Sequence, residues 1–163
     1  MMIERPEPSE YHEYYETYVG RVAAGGDLLA QLEAQIEETL ALVGGLDDDG
    51  ARHRYAPGKW SVKELLGHLI DSERVFAYRA MCIARGERAP LPGMEQDDYV
   101  AGGRFDERPL ASLLEAFEHL RRATIALVAS LGADDLTRVG IANGTEVSVR
   151  GLGERYLGAS PAD

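Results

Sequence analysis

Three stretches of the chain repeat apolar residues with the three-to-four-residue period of an amphipathic helix. This period predicts helices over residues 27–43, 61–85 and 109–131. Each predicted helix is followed by a glycine, the residue that most often ends a helix. Helices with one apolar face must bury that face against other elements, so the three are expected to pack together.

The second predicted helix has the clearest start signal. Ser61 and Glu64 fit a capping box, in which the hydroxyl and the carboxylate each bind an otherwise unpaired backbone N–H group. Trp60 comes directly before this box and is expected to pack at the start of the helix. The apolar residues of the helix predict its buried face: Val62, Leu65, Leu66, Leu69, Phe76, Ala80 and Ile83.

The segments outside these helices have weaker patterns. Four tyrosines near the N-terminus share one helical face, which we expect to pack onto the rest of the protein: Tyr11, Tyr14, Tyr15 and Tyr18. The Asn143-Gly144 pair predicts a loop or a brief β-hairpin within residues 141–149. After residue 150 the glycines each cost about 1 kcal/mol in a helix, so at most one or two turns are predicted, near residues 152–157.

The length and the element pattern predict one helical domain. A chain of 163 residues has the size of a single domain and contains no repeat or low-complexity linker. We divide it into a lead-in segment, 1–26, a bundle core, 27–150, and a shortened tail, 151–163. Three long amphipathic helices and a weak tail predict an all-α bundle.

Composition and charge limit which classes of molecule the chain is expected to bind. The net charge is −11, with the acidic residues concentrated in residues 1–50, so the chain repels phosphate backbones and nucleic acid is not expected as a partner. No apolar run approaches the length of a membrane span, and the polar residues 1–10 do not resemble a signal peptide. Cys82 is the only cysteine and is expected to be inert. We therefore predict a cytoplasmic protein without membrane contact.

Few side chains have the spacing that catalysis or metal binding needs. The chain has four histidines, none of them paired at metal-ligand spacing: His12, His53, His68 and His119. His68 falls at the edge of the buried face of the second predicted helix, so it can face a groove between helices. Glu64, one turn earlier, is expected to accept a hydrogen bond from the His68 ring. No catalytic residue and no cofactor-binding residue are assigned.

Residues 55–74, YAPGKWSVKELLGHLIDSER, resemble the signature of the DinB-like superfamily. In that family a Gly-Lys-Trp-Ser turn opens the second bundle helix, and a histidine about a turn and a half later is a metal ligand. Residues 58–61 and His68 match this pattern, and residues 146–150 resemble the start of the family's last helix. The resemblance covers about residues 5–150. It implies a DinB-like four-helix bundle, often a dimer, with a divalent metal held by three histidines.

The chain departs from this family at its last helix. The family's other two metal ligands form an HxxxH motif there, but no histidine follows His119 in this sequence. The resemblance therefore implies a truncated or missing fourth helix, with His68 as the remnant of a three-histidine metal site. One imidazole does not hold a divalent ion against water and cellular chelators, so no cofactor is expected. Zinc or nickel is expected only if the site is completed by other means.

Three hypotheses for the function stay open. The first is a degenerate family member without metal or catalysis that acts as a helical dimerisation or binding protein. The second is a metal-dependent hydrolase or thiol S-transferase, as the resemblance implies, with a site rebuilt from His68 and Asp71 or Glu73, or from a second subunit. The third, compatible with the first, is a deletion product of an ordinary member.

The short tail also leads to an expectation about partners. A helix of about nine residues spans about 14 Å, too little to cover the apolar faces of the three longer helices. An apolar groove should therefore be exposed in an isolated monomer. We expect the chain to cover it by self-association as a homodimer, or else to be unstable and aggregation-prone. The groove could also hold a small-molecule ligand. The tyrosine lead-in helix is the main competing cover.

Overall fold

The computed structural model describes residues 6–11, 13 and 27–158. Its helices and strands, in chain order, are α1 (Leu28–Val43), α2 (Val62–Ala84), α3 (Gln96–Gly103), α4 (Leu110–Ala129), α5 (Ala133–Thr137), β1 (Val139–Ala142), β2 (Thr145–Ser148) and α6 (Val149–Gly158). Short 3-10 turns also lie at Pro8–Glu10, Gly50–Arg52 and Phe105–Glu107. Tyr14, Tyr15 and Tyr18 of the predicted lead-in helix lie outside the described residues.

Four helices form the bundle. α4 packs against both α1 and α2, and α6 packs against α2 and, less extensively, against α1. α1 and α2 therefore lie diagonally across the bundle, with α4 on one side and α6 on the other. α6 has 10 residues and α2 has 23, which correspond to lengths of about 15 Å and about 35 Å. The predicted all-α four-helix bundle is confirmed.

The start of α2 is fixed by the predicted capping box. The Ser61 hydroxyl accepts a hydrogen bond from the Glu64 N–H at 3.0 Å, and the Glu64 carboxylate accepts one from the Ser61 N–H at 2.9 Å. The Ser61 hydroxyl also donates to Asp106. Arg54 contacts both carboxylates, those of Glu64 and Asp106. The cap therefore ties the loop before α2 to the turn before α4.

Two helices differ from the sequence prediction. α3 was not predicted, because only Val100 among its residues is buried and a single buried residue leaves no apolar period. α6 is longer than the predicted one or two turns near residues 152–157. The Ser148 hydroxyl accepts from the Gly151 N–H at 3.0 Å and so supports its first turn. A Cβ on Gly153 would lie 3.3 Å from Leu28, so this glycine lets α6 pack closely on α1.

The β-hairpin between α5 and α6 forms around the Asn143-Gly144 pair. β1 and β2 are antiparallel, and Ala142 pairs with Thr145 at the turn. Asn143 and Gly144 both have positive φ angles, of 54° and 72°, as the tightest hairpin turns require. The hairpin alternative of the sequence prediction is therefore the one that forms.

The buried face of α2 is only partly the predicted one. Leu66, Leu69 and Ile83 are buried as expected, but Leu65 is 38% exposed. Ile70, which was not in the predicted set, is fully buried. The described part of the chain contains no helix long and apolar enough to cross a membrane.

An ion pair lies inside the bundle. Arg121 of α4 donates from Nε to both carboxylate oxygens of Glu73 on α2, at 3.0 and 3.1 Å, and both side chains are at most 2% exposed. Arg121 Nη1 donates to the Leu32 carbonyl at 3.1 Å and to Gln35 Oε1 at 2.9 Å, both on α1. One guanidinium thus connects three bundle helices.

Candidate functional site

His68 lies half-buried in the N-terminal part of α2. Its ring packs on Trp60, with the ring centroids 4.9 Å apart and the planes tilted by 45°. Ser72, one turn later on α2, places its hydroxyl 3.4 Å from Nε2 and 3.5 Å from Nδ1, at the limit of hydrogen bonding. Trp60, the residue before the helix cap, therefore packs against the imidazole.

The expected hydrogen bond between Glu64 and His68 does not form. The Glu64 carboxylate is bound by the Ser61 N–H and by the Arg54 guanidinium instead. The hydrogen bond from Arg54 holds the pKa of Glu64 below its usual value. The Glu64 carboxylate therefore takes part in the helix cap and does not bind the imidazole.

Burial favours the neutral form of the His68 imidazole. Burial lowers the pKa of the imidazole below its usual value, and the nearby carboxylates of Asp71 and Asp97 partly oppose this shift. Asp97 comes from α3, the helix that the apolar pattern did not predict. A neutral imidazole is the form that can bind a metal.

The other donors that a metal would need are not assembled around His68. Asp71 accepts a hydrogen bond from Arg74 at 3.0 Å, and Glu73 is turned into the bundle, where it binds Arg121. Within residues 6–11, 13 and 27–158, no three His, Cys, Asp or Glu side chains are grouped as metal ligands. Catalytic metal sites use about three protein donors. The described donor set therefore does not fit the family's metal, and no reaction step is derived through one.

The remaining predicted histidines do not contribute to this site. His53 and His119 are exposed, and His119 faces solvent on α4 as the helical period predicts. His12 lies outside the described residues.

A second feature, an open apolar groove, lies between the diagonal helices α1 and α2. We call it the α1–α2 groove. It has a volume of about 280 Å³, and eight of the described residues line it: Thr39, Leu42, Val43, Leu46, Val62, Leu65, Leu66 and Leu69. Leu42 is 63% exposed, and Leu46 and Leu65 are also exposed on the groove rim. α6 packs instead at the opposite end of α1, where Gly153 meets Leu28.

The floor of the groove contains a buried polar group. Thr39 is 1% exposed, and its hydroxyl has no hydrogen-bond partner among the described residues. A helical threonine usually bonds the carbonyl one turn earlier. Thr124 of α4 does so, with its hydroxyl 3.1 Å from the Leu120 carbonyl oxygen. A buried hydroxyl without a partner costs about 1–3 kcal/mol, so it needs an explanation.

Sequence reasoning missed both Thr39 and Asp97. The sequence does indicate that Thr39 is buried, because it lies three residues after Ile36 and four before Val43, both in the buried face of α1. It does not indicate where Asp97 lies, because α3 has no apolar period and its position depends on packing against α2.

The comparisons with known proteins agree with this architecture. YfiT from Bacillus subtilis, described as a probable metal-dependent hydrolase with an unusual four-helix bundle topology, is similar to this chain. The TM-score is 0.71 at 16% identity over 95% of this chain and 84% of YfiT. A mycothiol-dependent maleylpyruvate isomerase has a TM-score of 0.65 at 15% identity. The match covers 81% of this chain and 56% of the isomerase.

At such low identities the two structures establish the fold and not the activity. No curated protein sequence gives a significant match. Residues 31–158, which include all four bundle helices except the first three residues of α1, match the family model of the DinB superfamily. The chain therefore belongs to the DinB superfamily.

Proposed function

We propose that this chain is a degenerate member of the DinB superfamily that works as a binding protein, and that its binding surface is the α1–α2 groove. The observation that carries the proposal is the groove itself. Exposed leucines surround a buried hydroxyl that has no partner among the described residues, at the position between α1 and α2 that α6 leaves open. Exposed apolar surface of this kind marks binding sites more often than ordinary surface.

The chemistry around His68 supports the absence of metal catalysis. Two of the three histidines that the family resemblance implies are missing from the sequence. The imidazole packs on an indole and lies beside a hydroxyl, and neither is a ligand that zinc or nickel favours. His68 is accordingly interpreted as a packing residue at the start of α2.

Binding of a neutral hydrophobic dye tests the groove. N-phenyl-1-naphthylamine is expected to bind the wild-type chain with a rise in fluorescence. Leu42→Glu should reduce its affinity about tenfold or more, because it places a charge on the apolar rim. Val139→Glu is the matched control: Val139 is 48% exposed on β1, outside the groove, and its replacement should leave dye binding unchanged. Equal dye affinities in the two variants would contradict the assignment of the groove.

The second candidate function is the metal-dependent hydrolase or thiol S-transferase of the superfamily. The carboxylates of Asp71 and Asp97 near His68 favour it, since each could supply one further donor. Titration with zinc and nickel, followed by elemental analysis, separates the two functions. One tightly bound metal per chain, lost in His68→Ala, would establish this candidate and reject the metal-free proposal.

The homodimer predicted from the sequence belongs to this proposal, as does a cytoplasmic location. Sedimentation velocity at micromolar concentration measures the oligomeric state directly. We expect a dimer for the wild-type chain. If Leu42→Glu sediments as a monomer while Val139→Glu remains a dimer, the rim of the groove is part of a larger dimer interface.

A further inference from the structure

We propose that the α1–α2 groove binds a neutral, mainly apolar small molecule with one hydrogen-bonding group, which meets the hydroxyl of Thr39. This inference rests on the proposed function, because it takes the groove as the binding surface. It adds the chemical class of the ligand and the residue that selects it.

The size of the groove favours a small molecule over a protein. Its volume of about 280 Å³ lies near the lower end of ligand pockets, which start at about 300 Å³. Eight residues line it, whereas a stable protein interface uses about 20–30 residues on each side. The groove by itself therefore offers too little surface to hold a protein partner.

The charges in and around the groove favour a neutral ligand. None of the eight lining residues has an ionisable side chain, so a buried charge on the ligand would lose its hydration without gaining an ionic partner. The exposed Glu38 of α1 directly precedes Thr39 in the chain. Together with the net charge of −11, it disfavours an anion in particular.

Thr39 supplies the polar contact. Its hydroxyl can donate and accept, so either a hydroxyl or a carbonyl on the ligand can satisfy it. In a helix, threonine populates two χ1 rotamers, so rotation about χ1 can turn the hydroxyl toward the groove. A hydrogen bond formed there is shielded from water by the leucines of the groove, which strengthens it.

Three naphthalene derivatives of similar shape provide the test: 2-naphthol, 2-methylnaphthalene and 2-naphthoate. Each is titrated into the ¹⁵N-labelled full chain, and amide shift changes locate the binding site. We expect 2-naphthol to perturb the groove residues and to bind about three- to tenfold more tightly than 2-methylnaphthalene, the effect of one hydrogen bond. We expect 2-naphthoate to bind more weakly than either.

Substitution of Thr39 by valine removes the hydroxyl and preserves the shape. Thr39→Val is expected to weaken 2-naphthol binding about three- to tenfold and to leave 2-methylnaphthalene binding unchanged. It should also raise the Tm of the free protein by about 2–4 °C, because a buried hydroxyl without a partner is removed. Thr124→Val is the matched control, since Thr124 bonds its own helix and lies outside the groove. It should change neither ligand's affinity.

The outcomes separate this inference from the proposed function. If both neutral probes bind the groove equally well in wild type and in Thr39→Val, the inference fails and the groove assignment stands. If 2-naphthoate binds most tightly, the ligand class is wrong. If no probe perturbs the groove residues, the inference fails together with the proposed binding surface. If Thr39→Val does not fold, the relative affinities of the three probes for the wild-type chain still test the inference.

Discussion

Replacing Arg121 with methionine is expected to lower the free energy of unfolding by about 3–5 kcal/mol, the usual cost of breaking a buried ion pair. Arg121 donates to both oxygens of Glu73 and to two oxygen atoms of α1, and its side chain is 2% exposed. Methionine fills much of the same space but donates no hydrogen bond. Urea unfolding followed by circular dichroism measures the difference.

The next residue in the chain provides the control. Arg122 pairs with Glu118 on the surface of α4, and its side chain is 60% exposed. Arg122→Met should cost less than about 1 kcal/mol, because exposed ion pairs contribute little. The double variant Glu73→Leu/Arg121→Met should recover part of the stability that Arg121→Met loses, since it removes both charges. Equal losses for Arg121→Met and Arg122→Met would show that the buried pair does not hold the bundle together.

Replacing Phe105 with alanine is expected to cost about 3–5 kcal/mol, as for other buried aromatic residues. The ring is 3% exposed and lies between two glycines. A Cβ on Gly67 would lie 2.2 Å from Phe105 Cγ, and one on Gly103 would lie 2.4 Å from Cε2. The ring therefore fits only where both helices, α2 and α3, present a bare backbone. Thermal unfolding compares the variant with the wild type.

Coupling between Phe105 and Gly67 tests this geometry. Gly67→Ala alone should destabilise the protein by about 1–3 kcal/mol, because the added methyl overlaps the ring. In the Phe105→Ala background the same change should cost almost nothing, because the space is already empty. Gly102→Ala is the control: no atom lies within 4 Å of its added Cβ, so it should be neutral or slightly stabilising. Additive effects of Gly67→Ala and Phe105→Ala would refute the close approach.

Local sequence determined much of the helical architecture. The predicted helices 27–43, 61–85 and 109–131 correspond to Leu28–Val43, Val62–Ala84 and Leu110–Ala129, each within two residues. Helix starts, capping boxes and apolar periods depend on residues within about one turn of one another, so they can be recognised in the sequence. The same holds for the segment around His68, whose resemblance to the DinB superfamily the family match confirms.

The sequence could not determine which apolar faces would find a neighbour. Leu65 has the helical spacing of a buried residue, yet it is exposed because α6 packs at the other end of α1. The glycines of α6 have low helix propensity, so the sequence predicted only one or two helical turns there. In the structure one of these glycines, Gly153, lets α6 approach α1. Helix propensity reflects the backbone preference of a single residue, whereas burial depends on which other elements pack against that residue.

The tertiary structure alone decided where the polar groups of α1 and α2 point. Glu73 was a candidate metal ligand in the sequence, but the packing of α4 on α2 places it against Arg121 inside the bundle. Thr39 looked like an ordinary helical residue until its surroundings left its hydroxyl without a described partner. The superfamily could be recognised from the sequence alone, as could the absence of the two further histidines that the family resemblance implies. The packing of α6 near Leu28, at the N-terminal end of α1, decided that a groove would remain open at the other end of that helix.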